Sequence, residues 1–228
     1  PSIESALRKL LSQGVDEVYL IPMFPHYAMA TFEAVVVGVE DALKKLSTTV
    51  RLVTKPPYYD DPVYIDALVA VARPHLDSGY DHLLFSYHGL PERHLRKSDP
   101  TKSHCLASGT CCQTSSEAHK TCYRHQVLAT TEEFVKKAGI PKDRYSIAYQ
   151  SRLGRDPWLA PYTDATIEQL AEAGACAEQS RLDRADRKAQ QVGHVLIRAV
   201  LELAHHEHGS EDLRHPVEHL MRDLSDLL

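Results

Sequence analysis

Two groups of residues in this chain have types and spacing suited to chemistry. The first is His88, in the run Ser86-Tyr87-His88-Gly89-Leu90-Pro91. An apolar stretch precedes it, so the imidazole sits where a buried strand emerges. Gly89 lets the backbone turn sharply and a ligand approach, and Pro91 fixes one dihedral of the turn. Histidine titrates near neutrality, with an ordinary pKa of roughly 6.5, which suits a general base or a metal contact. Position alone leaves open a plain surface histidine in a strand-to-helix turn. The second group is Cys105, Cys111, Cys112 and Cys122, which read C-x5-C-C-x9-C within 18 residues. Four thiolates so close could hold one tetrahedral metal or an iron–sulfur cluster, and free thiols are the third reading. The spacing lacks the paired C-x-x-C of zinc ribbons. The adjacent pair is too strained to bridge to itself. Cys176 stands apart and reads as an ordinary cysteine.

Alternating helices and strands must position these groups. The apolar spacing predicts a helix from Ile3 to Leu11, stopped at Gly14, and a strand over 17–21 ended by Pro22. A helix over 31–46 and a strand over 49–54 follow, then the breaker Pro56-Pro57. Next come a helix over 62–76 and a strand over 82–87 that runs into His88. Residues 96–122 carry the cysteines and little periodicity. A helix over 126–138 and a strand over 145–150 precede the polar loop 151–158, and Thr163 is placed to N-cap a helix reaching about Ala173. Such alternation indicates an α/β fold with parallel sheet covered by helices. Ligands in such folds sit outside the C-terminal strand ends, where loops 22–30, 88–94 and 151–158 fall. Two further apolar stripes, Val192 to Leu203 and Val217 to Leu228, predict a helical tail. His205-His206-Glu207-His208 in that tail reads as a solvated turn, because neighbouring histidines do not share a helix face.

Composition narrows the class. The 228 residues are 43% hydrophobic and 25% charged, enough for a core. A net charge of -5 with no basic run argues against nucleic-acid binding. No apolar run is long enough to span a bilayer. The clustered cysteines suit a reducing, cytoplasmic compartment rather than a secreted disulfide scaffold. The chain opens on Pro1 inside a predicted helix, so a further N-terminal part is expected.

The motifs carry a resemblance. Ser86 to Pro91 resembles the ferrochelatase signature. Tyr149-Gln150-Ser151-Arg152-Leu153-Gly154-Arg155-Asp156-Pro157-Trp158-Leu159, followed by Pro161-Tyr162-Thr163-Asp164, is similar to a second block of that family. Pro22-Met23-Phe24-Pro25-His26-Tyr27 looks like its porphyrin-cleft loop. The likeness covers about residues 1–174. It implies a two-lobed, Rossmann-like chelatase fold, incomplete here. Residues 1–56 would be the remainder of one lobe and 57–174 a second lobe with a cysteine insert at 96–125; 175–228 is the unassigned tail. It implies insertion of Fe(II) into protoporphyrin IX or coproporphyrin III in heme synthesis. His88 would be the base and an iron contact, Tyr27 and Trp158 would line the cleft, and Arg152 and Arg155 would meet propionates. Those arginines could equally pair with Asp156 or Asp164. Some bacterial members hold a [2Fe–2S] cluster on four cysteines in such an insert, and structural zinc is the other occupant considered. Peripheral membrane contact stays open.

The chain also departs from the family pattern. The first strand with its Gly-Pro loop and the later helix with a catalytic glutamate have no match. A cobalt or nickel chelatase, or a non-catalytic iron–sulfur or tetrapyrrole-binding module, are therefore the competing readings.

Overall fold

The computed structural model describes residues 2–173. The expected tail helices, Cys176 and the 205–208 histidines lie outside the described residues. The described chain forms two compact units interleaved in sequence. One comprises Pro1–Asp60, Phe85–Glu132 and Ile147–Thr163; the other takes Asp61–Leu84, Glu133–Ser146 and the residues from Asp164 onward.

The first unit opens with helix α1, Ile3–Leu11, capped by Ser2, whose hydroxyl accepts from the Ser5 N–H at 3.1 Å. Strand β1, Glu17–Leu20, pairs in parallel with β2, Arg51–Thr54, with Glu17 opposite Arg51 and Val18 opposite Leu52. Glu17 and Arg51 form an ion pair. Helix α2, Ala34–Lys45, connects the two strands and is entered through a wide π turn, Met29–Glu33, that buries Phe32. The expected α-helical start near Thr31 thus begins as a looser turn. Leu7, Val18, Val39, Ala42 and Leu43 form the core here.

Strands β3, Leu83–His88, and β4, Tyr145–Gln150, make a second two-stranded sheet. Helix α4, Glu92–Ser98, follows the His88 turn, where no helix is evident from the sequence pattern. It is polar apart from Leu95, so its seven residues show no period to read. Helix α5, Tyr123–Ala138, starts earlier than expected, directly after Cys122. Leu95, Cys105, Ala118, Cys122, Val127, Tyr149 and Leu159 form one core, so the cysteine insert and the strand ends share their apolar interior.

In the second unit, α3, Pro62–Asp77, is started by Asp61, which accepts from the Val63 N–H at 3.0 Å, with Pro62 at the first turn. It buries Tyr64, Ile65 and Val69, and Asp66 pairs with Lys137. Arg144 lies over the Tyr80 ring at 4.4 Å and donates to the Tyr80 carbonyl. Helix α6, Thr163–Glu172, begins at Thr163 itself, the last residue of the first unit, and that hydroxyl lies 2.9 Å from Ser86 Oγ of the same unit.

Candidate active site and thiol cluster

The site is built on the end of β3. His88 is exposed, and Gly89 behind it is buried. Nδ1 of His88 lies 2.7 Å from the Gly89 carbonyl oxygen. A carbonyl only accepts, so Nδ1 carries a ring proton, and the neutral ring then has its lone pair at Nε2. The imidazole is therefore set up to take a proton or to touch a cation at Nε2. The backbone beneath it is held from two sides. Gly89 N–H donates to the Gln150 carbonyl at 2.7 Å, and the Tyr123 hydroxyl donates to the His88 carbonyl at 2.9 Å. A Cβ on residue 89 would stand 2.9 Å from Gln150 O and 3.4 Å from the Trp158 ring, so glycine is required there by close approach.

The loop after β4 lies along this turn. Leu159 N–H donates to the Leu90 carbonyl at 3.0 Å and Glu92 N–H to the Pro157 carbonyl at 2.9 Å. Trp158, opposite Pro91, donates its indole N–H to the Leu153 carbonyl at 2.9 Å. Leu153 is 80% exposed, an apolar side chain presented beside the turn. Arg152 lies over the Tyr162 ring at 4.5 Å. Asp156 pairs with Arg93 at 2.9 Å. Arg155 is exposed.

The loop 22–30 joins the same unit through α5. Tyr27 N–H donates to Gln126 Oε1 at 2.6 Å, and the Tyr27 hydroxyl donates to Glu33 at 2.8 Å. Burial, then the Glu33 carboxylate, push the Tyr27 phenol well above its usual range. His26 lies 2.9 Å from Thr130 Oγ1, edge-on to the rings of Tyr87 and Tyr123. Burial lowers its pKa to about 4, so it is a neutral imidazole packed behind the site.

The four cysteines come together in one place without any disulfide. Cys112 and Cys105 both hydrogen-bond to Cys122 through their thiols. The hydrogen bond from Cys112 pulls the Cys122 thiol down to about 6 against the opposing effect of burial, helped by the His125 N–H 3.5 Å from its sulfur. Cys112 is pushed up by that same bond and Cys105 chiefly by burial. Cys111 lies within electrostatic reach of both. Cys105, Cys111 and Cys122 are buried and Cys112 is half-buried. The sulfurs meet pairwise around Cys122, and among the described residues no three His, Cys, Asp or Glu side chains form a ready single-ion site.

Residues that sequence reasoning passed over organise the insert. Asp99 is 2% exposed. Its carboxylate accepts from Thr101 N–H and Oγ1, His104 N–H and Cys105 N–H at 2.7–2.8 Å. Burial alone would raise its pKa; these bonds outweigh it and hold the carboxyl well below the usual range. Lys102 and Leu106 adopt left-handed backbone, at φ 59 and 61, within the loop so fixed. His104, His119 and His125 bracket the cluster, the last two stacked at 3.6 Å, and meet the carbonyls of Cys111 and Cys112. The Asp-x-Thr pattern at Asp99 and the three histidines beside the cysteines were the available signals.

The ferrochelatase family profile matches residues 1–178. A ferrochelatase of Stutzerimonas stutzeri is 47% identical over 175 residues, covering 76% of this chain and 51% of that protein. One from Opitutus terrae is 48% identical over 174 residues, covering 76% and 50%. One from Pseudomonas fluorescens SBW25 is 46% identical over 175 residues, covering 76% and 51%. The chain spans about half the length of the curated relatives it matches. A histidine turn locked to a tryptophan-bearing loop, with a family match over the same residues, leaves one conclusion: the chain belongs to the ferrochelatase family.

Proposed function

We propose that this chain carries the porphyrin-metallating site of a ferrochelatase, which inserts Fe(II) into a porphyrin in heme biosynthesis. The observation that carries the reading is the exposed His88 ring, with its Nδ1 proton committed to Gly89 and its Nε2 lone pair available. Insertion releases the two pyrrole N–H protons as Fe(II) enters, and no net electron moves. His88 Nε2 is the proton acceptor and the contact that first meets iron. Tyr27 and Trp158 are the cleft walls. Arg155, exposed, and Arg152, stacked on Tyr162, are the propionate partners.

Cys105, Cys111, Cys112 and Cys122 are the ligands of a [2Fe–2S] cluster; the support is four free thiols in one short insert, three of them buried. When bound, such a cluster supplies a cross-link and a redox-sensitive centre, and the insertion chemistry does not pass through it. Structural zinc is the alternative occupant. A reducing, cytoplasmic compartment is the location that suits four clustered free thiols. No helix among the described residues is long and apolar enough to cross a membrane.

The experiment is anaerobic incubation of the purified chain with Fe(II) and either protoporphyrin IX or coproporphyrin III. Metalloporphyrin formation is expected, reduced about a hundredfold or more in His88→Ala. Binding without turnover would assign the chain to the non-catalytic class, and turnover only with cobalt or nickel to another chelatase.

A further inference from the structure

Helix α5 leaves the cysteine insert one residue after Cys122, and its buried face mixes polar Gln126, Thr130 and Thr131 with apolar Val127, Phe134 and Val135. Gln126 is 0% exposed. Its Oε1 accepts the Tyr27 N–H at 2.6 Å. Its Nε2 donates to the carbonyls of His119 at 3.2 Å and Lys120 at 2.9 Å. One amide thus joins the loop that bears Tyr27 to the last turn of the insert before Cys122. The acceptor and the donor group of that side chain are both used, so a shift of either segment strands a buried polar group. The insert has little regular structure of its own. It holds only two short 3-10 turns, Cys111–Gln113 and Glu117–Lys120. Its ends are tied by Asp99 and by Thr121, whose hydroxyl donates to the Ser98 carbonyl at 2.7 Å, and a bound centre would add a cross-link among the four thiols. Neighbouring bonds follow the same route: Tyr123 holds the His88 carbonyl, and Thr130 donates to the Tyr59 carbonyl at 2.6 Å.

We propose that Gln126 is a positioning residue that couples the thiol centre to the tetrapyrrole site. Binding of a cluster by the four thiols fixes the carbonyls of His119 and Lys120, these fix the Gln126 amide, and the amide fixes Tyr27. The inference rests on the reading that the thiols hold a cluster and that Tyr27 lines the cleft. Linkage makes the effect mutual: porphyrin binding also favours the closed insert.

The direct test is hydrogen exchange in the wild-type chain, holding its metal centre and after anaerobic chelation. Protection of the Tyr27 amide is expected to fall about tenfold or more on chelation, while the Val18 amide in the β1–β2 ladder is unchanged. Equal protection at Tyr27 in both states overturns the proposal. The second arm measures protoporphyrin IX affinity in both states. The wild-type chain is expected to bind about fivefold or more tightly when loaded. Gln126→Met is expected to keep its visible absorption and lose that ratio. A ratio near one in the wild type, or an unchanged ratio in the variant, overturns the coupling. Where the variant loses its chromophore, the wild-type exchange result decides. A wild-type chain that binds no porphyrin at all removes the functional reading beneath the proposal, an outcome distinct from binding without coupling.

Discussion

Two single residues carry more of the site than their size suggests. Gly89 lets β3 approach the Gln150 carbonyl and the Trp158 ring. Gly89→Ala pushes a methyl group against backbone that is itself hydrogen-bonded, and is expected to destabilise the fold by about 1–3 kcal/mol in denaturant melts. Iron insertion should fall with it, because the His88 turn is displaced. Asp99 is the second. Its carboxyl is held well below its ordinary range by bonds from Cys105, Thr101 and His104 that overcome burial. A depressed folded pKa contributes stability that is present above about pH 4 and lost as the pH falls through the folded value. Asp99→Asn sets an amide N–H against those donors, with an expected loss of about 3 kcal/mol at neutral pH. The check is a urea series from neutral to acid pH, in which the variant loses less on acidification than the parent. Equal acid losses would remove Asp99 from this role. His88, Trp158 and the cysteines were legible as residues because motif and spacing expose them. Asp99 was not, since a lone aspartate before a proline gives no sign of being buried.

At the scale of elements, α5 matters most. It reaches Tyr87 through Thr131 at 2.8 Å, His26 through Thr130, Tyr27 through Gln126 and His88 through Tyr123. Its inward face begins with Gln126, Val127, Thr130 and Thr131 before apolar Phe134 and Val135, so apolar periodicity marks only its second half. That is why the sequence placed its start late and missed its function. The β-rich runs into His88 and Gln150 were plain because buried strands are continuously apolar. His26 gives this element a measurable signature. Its pKa is lowered to about 4 by burial against Tyr87, Tyr123 and Thr130. The unfolded chain takes up that proton first, near pH 6.5, so stability falls as the pH drops from there toward 4. The loss is up to about 3 kcal/mol. His26→Gln keeps a donor for Thr130 without the titration. Its stability should be flatter across this range, and a slope equal to the parent's would mean His26 is not the group responsible.

For the whole molecule, fold class and family were readable from three ordered motifs. The interleaving of two compact units was not, because it depends on which chain segments meet in space. The thiol centre belongs to this scale too, since Cys105 and Cys122 share a core with Tyr149 of β4 and Leu159 of the loop after it. Anaerobically purified protein is expected to show iron and visible cluster absorption; zinc in their place would assign the cysteines to a structural ion instead. The central claim is that the His88 turn and the 150–159 loop form one porphyrin site. Trp158 is the single tryptophan of the chain, so its emission reports on that loop alone. Titration with protoporphyrin IX is predicted to quench Trp158 saturably, with weaker affinity in Tyr27→Ala and near-parental affinity in His88→Ala. Emission that stays unchanged, or falls without saturating, would contradict the account.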